Sequence, residues 1–125
     1  MNIQAISQRT GMSAHTLRYY EKINLLLHIQ RDSKGHRDYS EKDVIWIEFI
    51  KRLKATNMPL EEIRLFAKLR SRGDVTINER LDILENHRLR VQRQLENLKQ
   101  HLKKIEEKIQ LCQKGGALQP FEKMA

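Results

Sequence analysis

The side chains that most often carry out chemistry in proteins are few and scattered in this sequence. A single cysteine, Cys112, cannot form a disulfide within the chain or build a multi-cysteine metal or iron–sulfur site. The five histidines lack the paired spacing of metal ligands; they are His15, His28, His36, His87 and His101. No glycine-rich phosphate loop or nucleophile elbow is present. We therefore expect no catalytic residues, no metal and no cofactor.

The charge of the chain points to the chemistry of a binding partner. The 125 residues include 24 Lys and Arg against 16 Asp and Glu, which gives a formal net charge of +8 at pH 7. This excess favours a polyanion, either nucleic acid or an anionic membrane surface, although an incidentally basic protein is an alternative. No apolar run approaches the roughly 18 residues of a membrane-spanning helix, and the N-terminus lacks a signal-peptide pattern. We therefore expect a cytoplasmic protein without a membrane partner.

The elements that must position such a binding surface begin with two short helices. Ile3 and Ile6 share one face of the first helix, and Gly11 marks a turn after it. Ser13 is a favourable N-cap for a second helix, which carries Leu17 on its apolar side. This order is typical of a helix-turn-helix, although other small helical bundles begin in the same way.

The segment from Leu25 to Tyr39 has a different pattern. Its apolar residues give way to a turn-rich run at 32–35, and a basic run follows at 36–39. This pattern predicts a small hairpin with a basic tip, which is the form of a wing. A plain surface loop is the alternative.

Two further helices are predicted before the chain changes character again. Ser40 and Asp43 have the spacing of a capping box at the start of a third helix. Pro59 suits the first turn of a fourth helix, which ends near Gly73. The apolar residues of the third helix fall largely on one side; they include Val44, Ile47, Ile50 and Leu53.

The last segment carries a heptad pattern from about Asn78 to Cys112. Its apolar seam recurs at alternating spacings of three and four residues; it comprises Leu81, Leu84, Val91, Leu95, Leu98, Leu102, Ile105 and Ile109. Arg88 interrupts this seam, either to set the register or to face a ligand. A helix of this span is roughly 50 Å long, and its single apolar stripe needs a partner. The chain has no second such stretch, so the predicted partner is another copy.

The run Thr16-Leu17-Arg18-Tyr19-Tyr20-Glu21 resembles the signature of the MerR family of transcription regulators. The context is similar too: residues 11–13 precede it, and residues 25–26, 35–40 and 58–63 follow in the family's order. The resemblance covers the whole chain and implies a mainly α fold. It implies a winged helix-turn-helix DNA-binding domain over 1–72, a long antiparallel coiled-coil dimerisation helix over 73–113, and a tail over 114–125.

The resemblance also implies which residues of the second helix bind DNA. Arg18, Tyr19 and Tyr20 would hold the DNA on the recognition helix, because Arg offers a bidentate fork and Tyr a rigid donor. One of the two tyrosines could instead belong to the core. His15 and Thr16 begin the same helix and are placed to reach base edges.

Three more residues are implicated outside that helix. Arg37 on the wing would contact a phosphate or the minor groove. Tyr39 would do the same or pack beneath the wing, and we favour packing. Lys54 matches a family position that contacts the DNA backbone near a second wing, with an ordinary solvated lysine as the alternative.

The family's mechanism, carried over by this resemblance, works through DNA shape. A homodimer sits on an over-long promoter spacer on the face opposite RNA polymerase, and activation bends and untwists the DNA. In the family an effector usually binds between the long helix and the DNA-binding part. For this chain the alternatives are an unidentified small-molecule effector and regulation by the abundance of the protein alone. The competing interpretations are a coiled-coil interaction protein and an enzyme, and the sequence offers no constellation of residues for the latter.

Several residues that define branches of the family are missing from this sequence, and this narrows the kinds of stimulus to which the protein would respond. With Cys112 alone, the chain lacks the cysteine pair of the metal-sensing branch, and it shows neither an iron–sulfur cysteine cluster nor a separate drug-binding domain. The run at 46–51 most resembles a short, aldehyde- or thiol-stress-responsive branch, but Arg52 stands where that branch has a cysteine. Cys112 falls within the apolar seam, so we predict a buried, small apolar side chain, with a stress-sensing thiol as the alternative. We also predict that it forms no disulfide across an antiparallel dimer.

Overall fold

The fold, a computed structural model that describes residues 1–115, is mainly helical. Its helices are α1 (Ile3–Thr10), α2 (Ala14–Lys22), α3 (Glu41–Ala55), α4 (Leu60–Ser71) and α5 (Ile77–Gln113), with a 3-10 turn at Asp74–Thr76. Between α2 and α3, strands β1 (Gln30–Arg31) and β2 (Arg37–Asp38) pair antiparallel. The predicted fold class is therefore confirmed in its helices, its hairpin wing and its long final helix.

The turn between α1 and α2 forms as its residues predict. Gly11 ends α1 with a left-handed φ of 74°, a conformation that glycine adopts without steric penalty, and its N–H donates to the carbonyl of Ser7. The hydroxyl of Ser13 accepts a hydrogen bond from the backbone N–H of Thr16 at 3.0 Å, which caps α2. The two helices are thus joined by three residues, as in a helix-turn-helix.

The wing is a short hairpin that a tight turn holds closed. Gln30 pairs with Asp38 and Arg31 pairs with Arg37. In the turn, one carboxylate oxygen of Asp32 accepts from the backbone N–H groups of Lys34 and His36, each at 2.9 Å. These hydrogen bonds satisfy backbone donors that a two-residue ladder leaves unpaired.

Helix α3 begins with the predicted capping box. The hydroxyl of Ser40 accepts from the N–H of Asp43, and the Asp43 carboxylate accepts from the N–H of Ser40. Trp46, two turns into the helix, donates from Nε1 to the carbonyl of Leu25 at 2.8 Å and stacks on Phe66 of α4. This indole therefore ties together the third helix, the fourth helix and the segment that leads into the wing.

The chain divides into two compact units, which we call unit 1 (residues 1–87) and unit 2 (from Arg88 onward). Unit 1 holds the core; its buried apolar residues are Ile6, Leu17, Tyr20, Leu25, Leu26, Tyr39, Trp46, Ile47, Ile50, Leu53, Met58, Ile63, Phe66 and Ala67. The division at 87 differs from the domain boundary that we expected at 72. The reason is that the first turns of α5 contribute to this core: Ile83 and Leu84 pack against it, and His87 is buried.

That packing changes one assignment in the predicted dimer seam. Leu84 lies against the core of its own unit rather than on an open stripe, because the start of α5 must cover unit 1. Unit 2, by contrast, is a single helix among the described residues. Its seam side chains are between 49% and 67% exposed at Leu95, Leu98, Leu102, Ile105 and Ile109. Cys112, which we predicted to be buried, is exposed as well, because none of residues 1–115 covers this face. Of the predicted tail at 114–125, residues 116–125 lie outside the described part.

Candidate nucleic-acid interface

The second helix, α2, separates a buried face from an outward face. Leu17 and Tyr20 are buried, while His15, Arg18 and Tyr19 are exposed. Because side chains three or four positions apart share a face of a helix, the two sets fall on opposite sides. The outward set offers an imidazole, a guanidinium and a phenol to a partner.

The two tyrosines of this helix have different environments. Tyr19 is 49% exposed, but Tyr20 is only 4% exposed and belongs to the core. The hydroxyl of Tyr20 accepts a hydrogen bond from Nζ of Lys54 at 2.9 Å, and this ammonium lies 5.0 Å from the centre of the Tyr20 ring. Tyr20 is therefore the tyrosine that belongs to the core, and its contact with DNA stays a prediction that depends on its hydroxyl alone.

In the first turn of α2, the predicted DNA-contact residue Thr16 also takes part in the cap of the helix. The hydroxyl of Thr16, which is partly buried, accepts from the hydroxyl of Ser13 at 2.9 Å as part of the cap. His15 beside it is exposed. Thr16 thus lies where we expected, at the N-terminal end of the recognition helix, with part of its hydrogen-bonding capacity already in use.

Two of the wing residues that we singled out are constrained by their own chain. Tyr39 is 2% exposed, so it packs beneath the wing as we favoured and cannot reach a ligand. Burial raises the pKa of its phenol, and its hydroxyl has no hydrogen-bond partner within residues 1–115. Arg37 is partly buried and donates from Nε to the carboxylate of Glu21 at 2.5 Å, and this bond raises the pKa of the guanidinium.

A groove of about 620 Å³ lies between α2, the start of α1 and the wing. Three arginines outnumber one carboxylate in its lining, and amide and imidazole side chains lie beside them; these polar residues are Arg18, Arg31, Arg37, Asp32, Asn2, Gln4 and His36. Guanidinium groups present planar forks of N–H donors that match phosphate oxygens. The groove can therefore accept an anionic backbone next to the outward face of α2.

Glu21 is the residue of this site that the sequence did not reveal to us. It occupies the last position of the Thr16–Glu21 run, and its two carboxylate oxygens bind Arg31 and Arg37. A carboxylate within a basic segment was the available signal, but its partners lie 10 and 16 residues away, beyond any local pattern.

The described residues, 1–115, offer neither a metal site nor a membrane-spanning helix. No group of three or more His, Cys, Asp or Glu side chains there is placed to hold a metal ion. None of the helices in that part of the chain combines the length and apolar character needed to cross a membrane.

An exposed recognition helix, a three-residue turn before it and an arginine-bearing wing beside it define a winged helix-turn-helix protein of the DNA-binding class. The chain belongs to the MerR family. Residues 1–69 match the model of the MerR HTH family regulatory protein, and residues 44–107 match that of the MerR DNA-binding region. The proteins of this family are DNA-binding transcription regulators.

Individual relatives cover most of the chain. An uncharacterised HTH-type transcriptional regulator of Haemophilus influenzae is 40% identical over 112 residues, which are 90% of this chain and 83% of that protein. The HTH-type transcriptional regulator AdhR of Bacillus subtilis is 38% identical over 73% of this chain and 65% of its own length. A solved structure of HiNmlR, described as a MerR family regulator lacking the sensor domain and bound to promoter DNA, superposes with a TM-score of 0.82. It is 38% identical over 90% of each chain.

Proposed function

We propose that this protein regulates transcription by binding promoter DNA as a homodimer, with α2 in the major groove and the wing against the backbone. The observation that carries the proposal is the outward face of α2, where His15, Arg18 and Tyr19 are exposed beside the arginine-lined groove. In helix-turn-helix proteins the N-terminal residues of the second helix contact base edges. We assign no catalytic step and no cofactor to this function, and we place it in the cytoplasm with the DNA.

Within this proposal the predicted residues take distinct roles. His15 and Thr16 lie at the end of α2 that would enter the groove, so they are the candidates for base contacts. Arg18, Tyr19 and Arg37 would contact phosphates, which position the protein without carrying sequence information. Lys54 is held by the Tyr20 hydroxyl, and its remaining N–H groups are free to meet a backbone phosphate.

The homodimer is proposed from the apolar face of unit 2. The described residues leave this seam about half exposed over Leu95, Leu98, Leu102, Ile105 and Ile109, with Val91 partly buried and Leu81 exposed at its start. A stripe of this regularity is the form of a coiled-coil seam, and a second copy can cover it. We propose antiparallel pairing, as in the family.

The regulatory step that we propose is a change in DNA shape. A dimer bound to a promoter spacer would bend and untwist the DNA so that RNA polymerase meets both promoter elements. The binding energy of two recognition helices can offset the few kcal/mol that such a deformation costs. The neighbour HiNmlR, whose structure is described as bound to promoter DNA, supports the DNA partner. An effector of unknown chemistry would shift the balance between the two DNA shapes.

The test is a salt titration of binding by the full chain. The DNA is the duplex upstream of its own coding sequence, and a shuffled duplex of equal length serves as reference. We expect preference for the upstream duplex and a steep salt dependence. Arg18→Ala should weaken binding about tenfold or more and lower the salt slope by roughly one phosphate contact. Arg93→Ala, which removes the same charge from unit 2, is the matched control and should bind almost as the unmodified chain does.

Two results of this titration would contradict the proposed function. Binding that is equal on both duplexes, or that ignores the change at Arg18, would remove the basis for the recognition-helix assignment. A dimer that binds no DNA would favour the coiled-coil interaction protein instead.

A further inference from the structure

The carboxylate of Glu21 links the recognition helix to both strands of the wing. Its Oε1 accepts from Nη2 of Arg31 on β1 at 3.1 Å, and its Oε2 accepts from Nε of Arg37 on β2 at 2.5 Å. Glu21 itself lies in the last turn of α2. Hydrogen bonds between charged groups are stronger and more directional than neutral ones, so this arrangement sets the position of the wing relative to α2.

A carboxylate is an unexpected group beside a surface that binds phosphates. Its negative charge repels the DNA backbone, so its removal would by itself strengthen polyanion binding. Glu21 is only 23% exposed, however, and each of its oxygens already accepts from an arginine. The three side chains together retain a net positive charge.

The atoms that Glu21 leaves unused are the ones a phosphate needs. Arg37 donates to Glu21 from Nε, and both of its terminal Nη groups make no hydrogen bond within residues 1–115. Arg31 donates from Nη2 and keeps its Nε and Nη1 donors. Both guanidinium groups line the groove beside Arg18. Because their forks are already oriented, they lose less side-chain freedom when a phosphate binds.

We propose that Glu21 is a positioning residue for DNA binding. It holds β1 and β2 against α2 so that the free N–H groups of Arg31 and Arg37 meet backbone phosphates while the outward face of α2 meets the base edges. The inference rests on the proposed DNA-binding function and deepens it. The negatively charged Glu21 strengthens DNA binding here because it positions two positively charged residues, Arg31 and Arg37.

The decisive experiment removes the charge of Glu21, because the proposal predicts weaker DNA binding whereas the loss of charge repulsion alone predicts tighter binding. In Glu21→Gln the side chain loses its charge, and an NH2 donor replaces one of the two oxygens that accept from Arg31 and Arg37, so one arginine faces a donor instead of an acceptor. We expect the affinity of the full chain for its upstream duplex to fall about tenfold, although a negative charge has been removed. The salt slope should shrink by about one to two, since each lost phosphate contact lowers it by roughly 0.9.

The matched control is Glu61→Gln. Glu61 is an exposed residue of α4 that pairs with Arg64 at 2.9 Å, and it does not line the groove. The substitution removes the same charge and also breaks a Glu–Arg pair, so binding should be unchanged or slightly tighter, with an unchanged slope. If Glu21→Gln bound as tightly as Glu61→Gln, with the slope of the unmodified chain, the positioning role would be overturned.

A second variant separates positioning from general loss of structure. Arg37→Lys keeps the charge and an ion pair with Glu21, but a lysine lacks the planar fork that serves the carboxylate and a phosphate together. We expect it to weaken binding to a similar degree. The double variant Glu21→Gln/Arg37→Lys should then be little worse than either single one, because both break the same arrangement. Fully additive losses would contradict the proposal, and failure of the unmodified chain to bind its duplex would instead contradict the proposed function itself.

Discussion

Unit 1 and unit 2 differ in how far their apolar side chains are buried within the single chain. In unit 1, four helices and the first turns of α5 surround one core, in which Ile6, Leu17 and Ile47 have no exposed surface. In unit 2, a single helix leaves its leucines and isoleucines open along one face. A helix with one uncovered apolar stripe gains little stability from its own chain. The difference teaches that unit 1 covers its apolar side chains within one chain, whereas the open face of unit 2 is the surface that the proposed homodimer would cover.

The largest effect should follow from a charge placed in the open seam of unit 2. Leu98→Glu would bury a carboxylate without a partner at the dimer interface, so we expect the dimer to dissociate into monomers. Light scattering after gel filtration at a fixed concentration measures the mass. The single tryptophan, Trp46, lies in the core of unit 1 and should keep its fluorescence.

A control on the opposite face of the same helix makes this test specific. Gln100→Glu adds the same charge at an exposed position outside the seam and should remain dimeric. If Leu98→Glu stayed a dimer, the seam would not be the interface. The orientation can be read from Cys112, which lies near one end of α5: antiparallel copies hold the two thiols far apart, so mild oxidation should yield no crosslinked dimer.

Shortening a buried side chain in the core of unit 1 should lower the free energy of unfolding. Ile47 is fully buried on α3, and Ile47→Ala should lower the free energy of unfolding by about 2–4 kcal/mol, because it leaves a cavity. Denaturant titration followed by Trp46 fluorescence measures this at fixed protein concentration.

The same helix provides the matched residue. Ile45, two positions earlier, is 70% exposed, and Ile45→Ala should change the free energy of unfolding by less than about 0.5 kcal/mol. Equal losses of unfolding free energy at the two positions would show that another chain covers Ile45. The contrast between the covered core of unit 1 and the open face of unit 2 would then no longer hold.

The smallest effect concerns the phenol of Tyr39, beneath the wing. Its pKa is raised by burial, so the folded state holds the proton more tightly than the unfolded state does. The stability that this difference contributes is present below about pH 10 and is lost as the pH rises through the raised folded-state pKa. Thermal unfolding between pH 7 and 11 should therefore show a decline above about pH 10 that Tyr39→Phe reduces.

The same substitution gives a second reading at neutral pH. The Tyr39 hydroxyl is buried without a hydrogen-bond partner in the described part of the chain, so its removal should be neutral or stabilising by up to about 1 kcal/mol. A marked loss of stability at pH 7 would mean that the hydroxyl has a partner in solution.

Much of this molecule could be predicted from its sequence because the deciding signals are local. The glycine turn, the serine caps, the capping box at Ser40 and the start of α5 depend on residues within a few positions of one another. The heptad spacing is a local repeat as well, and it indicated an uncovered face over residues 95–109. The Thr16–Glu21 run in its context was sufficient to predict the family.

Tertiary structure decided what depends on residues far apart in the chain. The spacing of three between Leu17 and Tyr20 places both on one face of α2, but only the fold shows that this face is the buried one and that Tyr20 binds Lys54 of α3. The reach of unit 1 into α5 was missed because a heptad pattern cannot tell a partner helix from the chain's own core. The role of Glu21 depends on two strands that fold back onto its helix, so neither propensity nor spacing could reveal it.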